Sequence, residues 1–326
     1  MSKARHSVLV LHEALSDDAR PDELDALVQV REICAALESV GHEPTVLATD
    51  LDLETTLAAI RDARPHCVFN LVESLAGKGH LVHIVPAVLE AAGLRFTGSN
   101  AEAIMLSSHK VLGKEWLRHH GIATPPWFTP GSAPRDRDTQ WIVKSVWEHA
   151  SFGLDDGCVV KGATAAETRI HESTVAHGGH WFAEQFIDGR EFNVAMLEVD
   201  GKPEVLPIAE MTFVDYPEGK PRIVGYAAKW DEAAPEYQAT QRRFGALSET
   251  GLRALTRTAM LCWRAFDLSG YARIDFRIDK KGIPWVLEIN ANPCLSADAG
   301  FVAAGVETGM TQATIVDAIV CAALDQ

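Results

Sequence analysis

Apolar and polar positions follow one rhythm in the first hundred residues and another beyond them. Three short apolar runs, SVLVL (7–11), PTVLA (44–48) and HCVFNL (66–71), come first. Between and after them lie stretches with helical spacing: LDALVQVREICAALESVG (24–41), residues 54–63, and LVHIVPAVLEAAG (81–93). Short buried strands alternating with helices predict a parallel, doubly wound sheet. Ligands of such sheets bind beyond the carboxyl ends of the strands. Those ends carry Glu13, Asp50 and Asn70-Leu71-Val72-Glu73.

From about residue 105 the pattern becomes α+β. SSHKVLGKEWLRHHG (107–121) reads as one helix, stopped by Gly121 and TPPW. Its Lys114 and Arg118 read as solvated charges. Strands at 141–146 and 157–160 flank the loop WEHASFGLDD, and a helix follows near 163–177. Strands at 181–187 and 191–197 are joined by Asp188-Gly189-Arg190; in the second, Met196 and Leu197 read as core and Glu198 as exposed. Residues 203–211 and 222–230 read as strands, 248–266 and 311–324 as helices.

Between those helices lies the hairpin YARIDFRID-KKG-IPWVLEIN. Alternate residues of a strand share a face. With Lys280-Lys281 or Asp279–Gly282 as the turn, Asp275 falls opposite Val286 and diagonal to Glu288, with Asn290 continuing the line. A loop of odd length reverses that parity. Two carboxylates and an amide oxygen on one face, beside Arg273, suit Mg²⁺. The competing reading is a solvated hairpin whose acids pair with Arg273 and Arg277.

Composition narrows the classes. With 326 residues the chain can bury two or three cores. A net charge of −15 without a basic stripe argues against nucleic acid as a partner. The N-terminus is too weakly apolar for a signal peptide, and no uncharged run reaches the ~18 residues of a membrane span. Six scattered cysteines suit free thiols in the cytoplasm. Among them Cys294 has no paired histidine and reads as an idle thiol. G-x-x-x-x-G-K-[ST] and G-x-G-x-x-G are both absent, so a nucleotide would have to be held by lysines and a flexible loop.

Six segments in order carry a resemblance: 89–127, IVKSVWEHASFGL (142–154), AEQFIDGREFNVAML (183–197), GYAAKW (225–230), YARIDF (271–276) and LEINANP (287–293). Together they resemble the ATP-grasp superfamily and, within it, the D-alanine–D-alanine ligases. The resemblance implies an α/β and α+β chain with an ATP-grasp fold. Residues 1–104 would form a Rossmann-like pre-ATP-grasp domain and 105–187 a small lid domain. Residues 188–326 would form the domain with the Mg²⁺ and phosphate-transfer residues.

It further implies an ATP-dependent carboxylate–amine ligase using ATP and Mg²⁺, with Mn²⁺ as a substitute. Lys110 and Lys144 would contact the phosphates. Glu184 and the backbone of Gln185 and Ile187 would bind adenine, and Glu191 the ribose. Ser151 and Gly153 would close over the γ-phosphate, and Lys229 would reach the transferred phosphate. Asp275, Glu288 and Asn290 would hold Mg²⁺, and Arg273 would stabilise the oxyanion. Partners would be a small carboxylate and an amine, and a homodimer is what the family suggests.

The departures lie at the substrate ends. The family's glycine/serine turn with its acid pair is missing after strand one, and counting back from the helix places Asp22 near the amine-binding acid. The family's H-G-x-x-G-E-D-G becomes AGKGHLVH (76–83), leaving Glu73 or His80 as substitutes. After the metal motif the family has P-G-M-T and a carboxylate-binding serine. Here PCLSADAG puts Cys294 for the glycine and Ala299 for the serine, beside Asp298. An acid there favours a cationic or amine-bearing acceptor. The alternatives are a true D-alanine–D-alanine ligase, an enzyme activating a non-amino-acid carboxylate, and a non-catalytic ATP-binding protein.

Overall fold

The computed structural model describes residues 5–16, 19–216 and 218–325; the side chains of residues 21 and 22 fall outside that description, and with them the expected role of Asp22. The chain opens with β1 (Ser7–Glu13), α1 (Pro21–Ser39), β2 (Glu43–Thr49), α2 (Leu53–Ala63), β3 (Cys67–Asn70) and α3 (Ile84–Ala91). The strands form a parallel sheet in the order β2-β1-β3. Successive β1 side chains point to opposite faces, so both faces are apolar. Val8 and Val10 pack with Val30 and Ile33 of α1. Leu9 and Leu11 pack with Ile60 of α2 and Val85 and Leu89 of α3.

The helix predicted at 107–121 is two helices, α4 (Ala101–Ser108) and α5 (Lys110–His119). His109 breaks them: its backbone is extended at φ −80° and ψ 90°, and its Nδ1 accepts the Leu112 N–H at 3.1 Å. A side-chain acceptor at the N-cap satisfies one of the open donors of a helix start. The break makes Lys110 the first residue of α5, and its N–H donates to the Val146 carbonyl at 2.9 Å.

Next come β4 (Trp127–Phe128), β5 (Gln140–Ser145), β6 (Val159–Lys161), α6 (Ala163–His177) and β7 (Trp181–Gln185). They build an antiparallel sheet in the order β4-β7-β5-β6. The rest comprises β8 (Gly189–Val199), β9 (Lys202–Val205), β10 (Ala209–Phe213), α7 (Tyr226–Trp230), α8 (Pro235–Ala239), β11 (Thr240–Phe244), α9 (Glu249–Ala265), β12 (Tyr271–Asp279) and β13 (Pro284–Asn290). The large sheet runs β11-β10-β8-β12-β13, with β9 beside β8. Ile104 of α4 and Leu117 of α5 share its core with Phe192, Met196, Ile274 and Trp263. Finally α10 (Gly300–Glu307) and α11 (Gln312–Leu324) return to the first sheet, where Ile315 and Ile319 pack with Val10 and Phe69.

Two expectations change. The strand predicted at 222–230 is an irregular stretch ending in α7. Glu198 is half-buried, because its carboxylate accepts the Gly270 N–H at 2.8 Å.

The hairpin also differs from the predicted register. Ile278 pairs with Pro284 and Phe276 with Val286, so the turn region is odd in length. That parity would set Leu287 opposite Asp275. A bulge between Asp275 and Phe276 shifts the register by one more residue. Asp275 therefore lies directly opposite Glu288, and Arg273 opposite Asn290.

Candidate active site

A cavity of about 580 Å³ lies among β7, β8, β12, β13 and the loop after β5. Lys110, Lys144, Lys229, Arg273, Asp275 and Glu288 all line it. So do Glu184, Gln185, Ile187, Glu191, Asn290 and Ser151. Residues scattered over 180 positions of sequence thus reach one space, as the expected phosphate and metal roles require.

The lysines are held by a buried carboxylate. Glu184 is 1% exposed; Lys114 approaches it at 2.5 Å, and Lys144 pairs with its other oxygen. Burial opposes the Glu184 charge, but the two lysines outweigh it and hold its pKa below the usual carboxylate range. Lys114, expected to be solvated, is 2% exposed and also donates to Thr124 Oγ1 at 2.9 Å. Helical spacing carries no sign of this partner, which comes from β7. The Glu184 carboxylate, expected at adenine, is engaged by these two lysines in the structure. Lys110 donates to the Glu148 carbonyl at 2.7 Å and stands 3.9 Å from Glu288.

The base-side residues are similarly engaged. Glu191 accepts two bonds from Arg277, at 3.1 and 2.8 Å. Arg277 also donates to the Ile187 carbonyl at 2.8 Å and lies 4.8 Å over the Phe186 ring. Of the two arginines assigned to a solvated hairpin, neither is solvated: Arg277 is 4% exposed, and Arg273 is largely covered.

The oxygen face has the donor chemistry of a magnesium site. Asp275 accepts from Arg273 Nε and Nη2, both at 2.8 Å, and from Asn193 at 2.7 Å. Asn290 Nδ2 lies 3.4 Å from its other side. Directly opposed carboxylates repel unless cations intervene. Burial raises the pKa of Glu288, but Lys110, His149, Lys144 and Arg273 bring it down to about 2. The face thus keeps an ionised carboxylate beside cations. No group of three His, Cys, Asp or Glu suited to a metal occurs among the described residues. Two carboxylates and an amide oxygen fit a hard cation that takes its remaining ligands from phosphate and water. Asn193, in the strand next to Asp275, was missing from the sequence-derived set.

The loop after β5 closes one wall. Ala150 and Ser151 are both left-handed, at φ 59° and 62°, followed by Gly153 at 69°. Non-glycine residues adopt this region at a cost, and they concentrate at functional sites. The Ser151 hydroxyl donates to the Val224 carbonyl at 2.8 Å, and Trp230 Nε1 donates to the Ala150 carbonyl at 3.0 Å. So Ser151, expected at the γ-phosphate, ties the loop to the segment bearing Lys229. Lys229 is exposed at the cavity edge, 4.8 Å over the Trp230 ring. His149 was overlooked. Its Nδ1 is buried without a hydrogen-bond partner among the described residues, and burial with the nearby Lys110 charge lowers its pKa to about 3.

Residues 139–321 match the family described as D-ala D-ala ligase C-terminus. The chain belongs to that family. An uncharacterized protein of Sinorhizobium fredii, y4sG, is 30% identical over 295 residues, covering 88% of this chain and 84% of that protein. The D-alanine–D-alanine ligase of Gloeobacter violaceus is 27% identical over 316 residues, covering 95% and 98%. Among solved structures, the D-alanine–D-alanine ligase from Bacillus anthracis complexed with ATP superposes with a TM-score of 0.74 at 19% identity, over 98% of each chain. The architecture is the ATP-grasp fold.

Of the residues expected near the substrates, Glu73 and Asp298 line the cavity, whereas His80 is exposed and outside the lining. Asp25, one turn along α1 from Asp22, also lines it, and burial raises its pKa. Cys294 lies 3.5 Å from Asp25, and burial with the Glu73 charge pushes its thiol up to about 12. A thiol held protonated is a poor nucleophile. Arg242 of β11 reaches the same wall and was not anticipated.

Proposed function

We propose that this chain is an ATP-dependent, ADP-forming ligase that joins a carboxylate to an amine through an acyl phosphate, with substrate pockets unlike those of a D-alanine–D-alanine ligase. The observation that carries it is the hairpin bulge, which sets Asp275 against Glu288 on the wall that Lys110, Lys144 and Arg273 share. When bound, MgATP would supply the terminal phosphoryl group that turns a carboxylate into an acyl phosphate, from which an attacking amine displaces phosphate.

The chain's own residues do the rest. Asp275, Glu288 and Asn290 would hold the metal, and Lys110 and Lys144 would neutralise phosphate charge. Glu184 and Lys114 fix Lys144 before any ligand arrives, so little reorganisation remains for the transition state. Arg273 offers a guanidinium where carbonyl oxygen gains charge, while Asp275 fixes its orientation. The strained loop and α7 would exclude water from the activated carbonyl. Asp25 and Glu73 give the substrate end acids suited to an ammonium group.

The altered pockets rest on Leu81 and Val82 where the family carries acids, and on Cys294 and Ala299 after the metal motif. The test is ADP release with panels of amino acids and amines. Selective turnover of D-alanine alone would overturn the narrower claim. MgATP binding without ADP release under any pairing would instead leave a nucleotide-binding protein.

A further inference from the structure

The loop over the phosphate end carries one polar side chain that the expected roles leave out. His149 lies between Glu148 and Ala150, and its ring lines the cavity. Among the described residues no hydrogen bond reaches either ring nitrogen, and of the two only Nδ1 is buried. Nε2 is therefore the ring nitrogen left open to the cavity. The charges that act on the ring are those of Lys110, Lys229 and Arg273, with Glu288 opposing them. His149 thus stands among the groups proposed to handle the transferred phosphoryl group, with no partner of its own.

The backbone on both sides of His149 is pinned. Before it, the Glu148 carbonyl accepts from Lys110 Nζ at 2.7 Å, and the Glu148 N–H donates to Ser145 Oγ at 3.1 Å. The His149 carbonyl itself accepts the Phe152 N–H at 3.1 Å. After it, the Ala150 carbonyl accepts from Trp230 Nε1 at 3.0 Å. These bonds fix where the ring is presented. The same network removes a competitor. Ser151, expected at the γ-phosphate, donates its hydroxyl to the Val224 carbonyl at 2.8 Å. A hydroxyl has one proton, so Ser151 cannot donate to a phosphate while that bond holds. A neutral imidazole also has one N–H. On Nδ1 it would be a buried donor without an acceptor. On Nε2 it faces the cavity, where a phosphate oxygen can accept it.

We infer that His149 is a catalytic residue that donates through Nε2 to an oxygen of the terminal phosphoryl group, in the place expected of the Ser151 hydroxyl. The contact is a neutral dipole held in position before the ligand arrives, between cations that are also fixed. It is made to the terminal phosphoryl group alone, so ATP has it and ADP lacks it. The inference rests on the ligase reading for the fate of that phosphoryl group, but not for the binding event.

Two measurements test it, and neither needs turnover. The first compares binding of MgADP and of MgAMPPNP, whose imido bridge resists cleavage, by calorimetry. His149→Ala is expected to weaken MgAMPPNP by about tenfold to a hundredfold and MgADP by less than about twofold. His149→Gln should recover part of the loss, because its side-chain N–H reaches about as far as Nε2. His149→Asn, whose amide ends near the position of Nδ1, should not. Equal losses for both nucleotides, no loss, or recovery by His149→Asn alone would overturn the inference. The second follows the ring signals of wild-type protein labelled with ¹⁵N-histidine, those of His149 being the ones missing from His149→Ala. MgAMPPNP should shift Nε2 well beyond any shift caused by MgADP. Equal shifts would remove His149 from the phosphoryl group. If no carboxylate–amine pairing releases ADP, the ligase reading fails, and these two comparisons still decide the role of His149.

Discussion

The two ends of the cavity solve opposite problems with similar residues. At the phosphate end the charges are answered within the protein. Glu184 holds Lys114 and Lys144, Asp275 holds Arg273, and Glu191 holds Arg277. At the other end, among the described residues, Arg242 has a long bond to a carbonyl and an open Nε, and Asp25 meets the Cys294 thiol. The first arrangement is paid for during folding and presents fixed dipoles to an invariant ligand. The second is completed by whatever enters. On the proposed function, selectivity would belong to the loosely satisfied end, where unpaired groups penalise a wrong ligand.

The sharpest way to test the first half of that contrast is Glu288→Gln. Removing the ionised carboxylate from the oxygen face should lower kcat for ADP release by on the order of a thousandfold, with the fold intact by circular dichroism. A drop below tenfold would mean the face does not serve the metal. Lys114→Met attacks the same end through stability. It leaves Glu184 with one cation in a buried setting, which costs about 3 kcal/mol. Urea unfolding measures this, and an unchanged midpoint would return Lys114 to a solvated helix face. The ATP KM should rise as well, because Lys144 loses its fixed partner.

Much of this was legible in the sequence, and the failures share one cause. The parallel strands and the acids of the hairpin follow from local period and spacing, and the ATP-grasp frame follows from the family resemblance that six segments carry in order. Lys114 was misread because its partner comes from β7, and no helical pattern reports a neighbour 70 residues away. The hairpin parity failed because a bulge leaves no mark in the alternation of Asp275 and Glu288; two one-residue shifts, in the turn and at the bulge, were needed to bring them face to face. Arg242 sat in a stretch with no motif, and only the fold brings it to the cavity wall. Glu198 and His109 turned on single backbone bonds, which composition cannot foresee.

Gly153→Ala probes the wall between the two ends. A Cβ there would lie 2.3 Å from Trp181 Cη2, and the residue is left-handed at φ 69°. Trp181 belongs to the core of the four-stranded sheet and has little room to retreat. The expected cost is about 2 kcal/mol in urea unfolding, from overpacking and backbone strain together. ATP affinity should weaken while acceptor selectivity stays the same, since the loop covers the phosphate side. A shift in selectivity would show that the loop shapes both ends.

The smallest expected effect is a pH dependence centred on His149. Its folded pKa of about 3 lies below the ordinary 6.5, so between those values the unfolded chain binds a proton that the folded chain refuses. Stability then falls as pH drops through that window, and it is fully retained above 6.5. Glu288, with a pKa of about 2 against an ordinary 4.5, adds a second loss of the same sign that begins lower. His149→Gln should therefore flatten the upper part of the acid limb, by about 1–2 kcal/mol between pH 6.5 and 5 in urea titrations, and leave the lower part intact. Identical limbs would mean that His149 takes up its proton in the folded chain, so that the phosphate end admits charge as readily as the acceptor end and the contrast between them weakens.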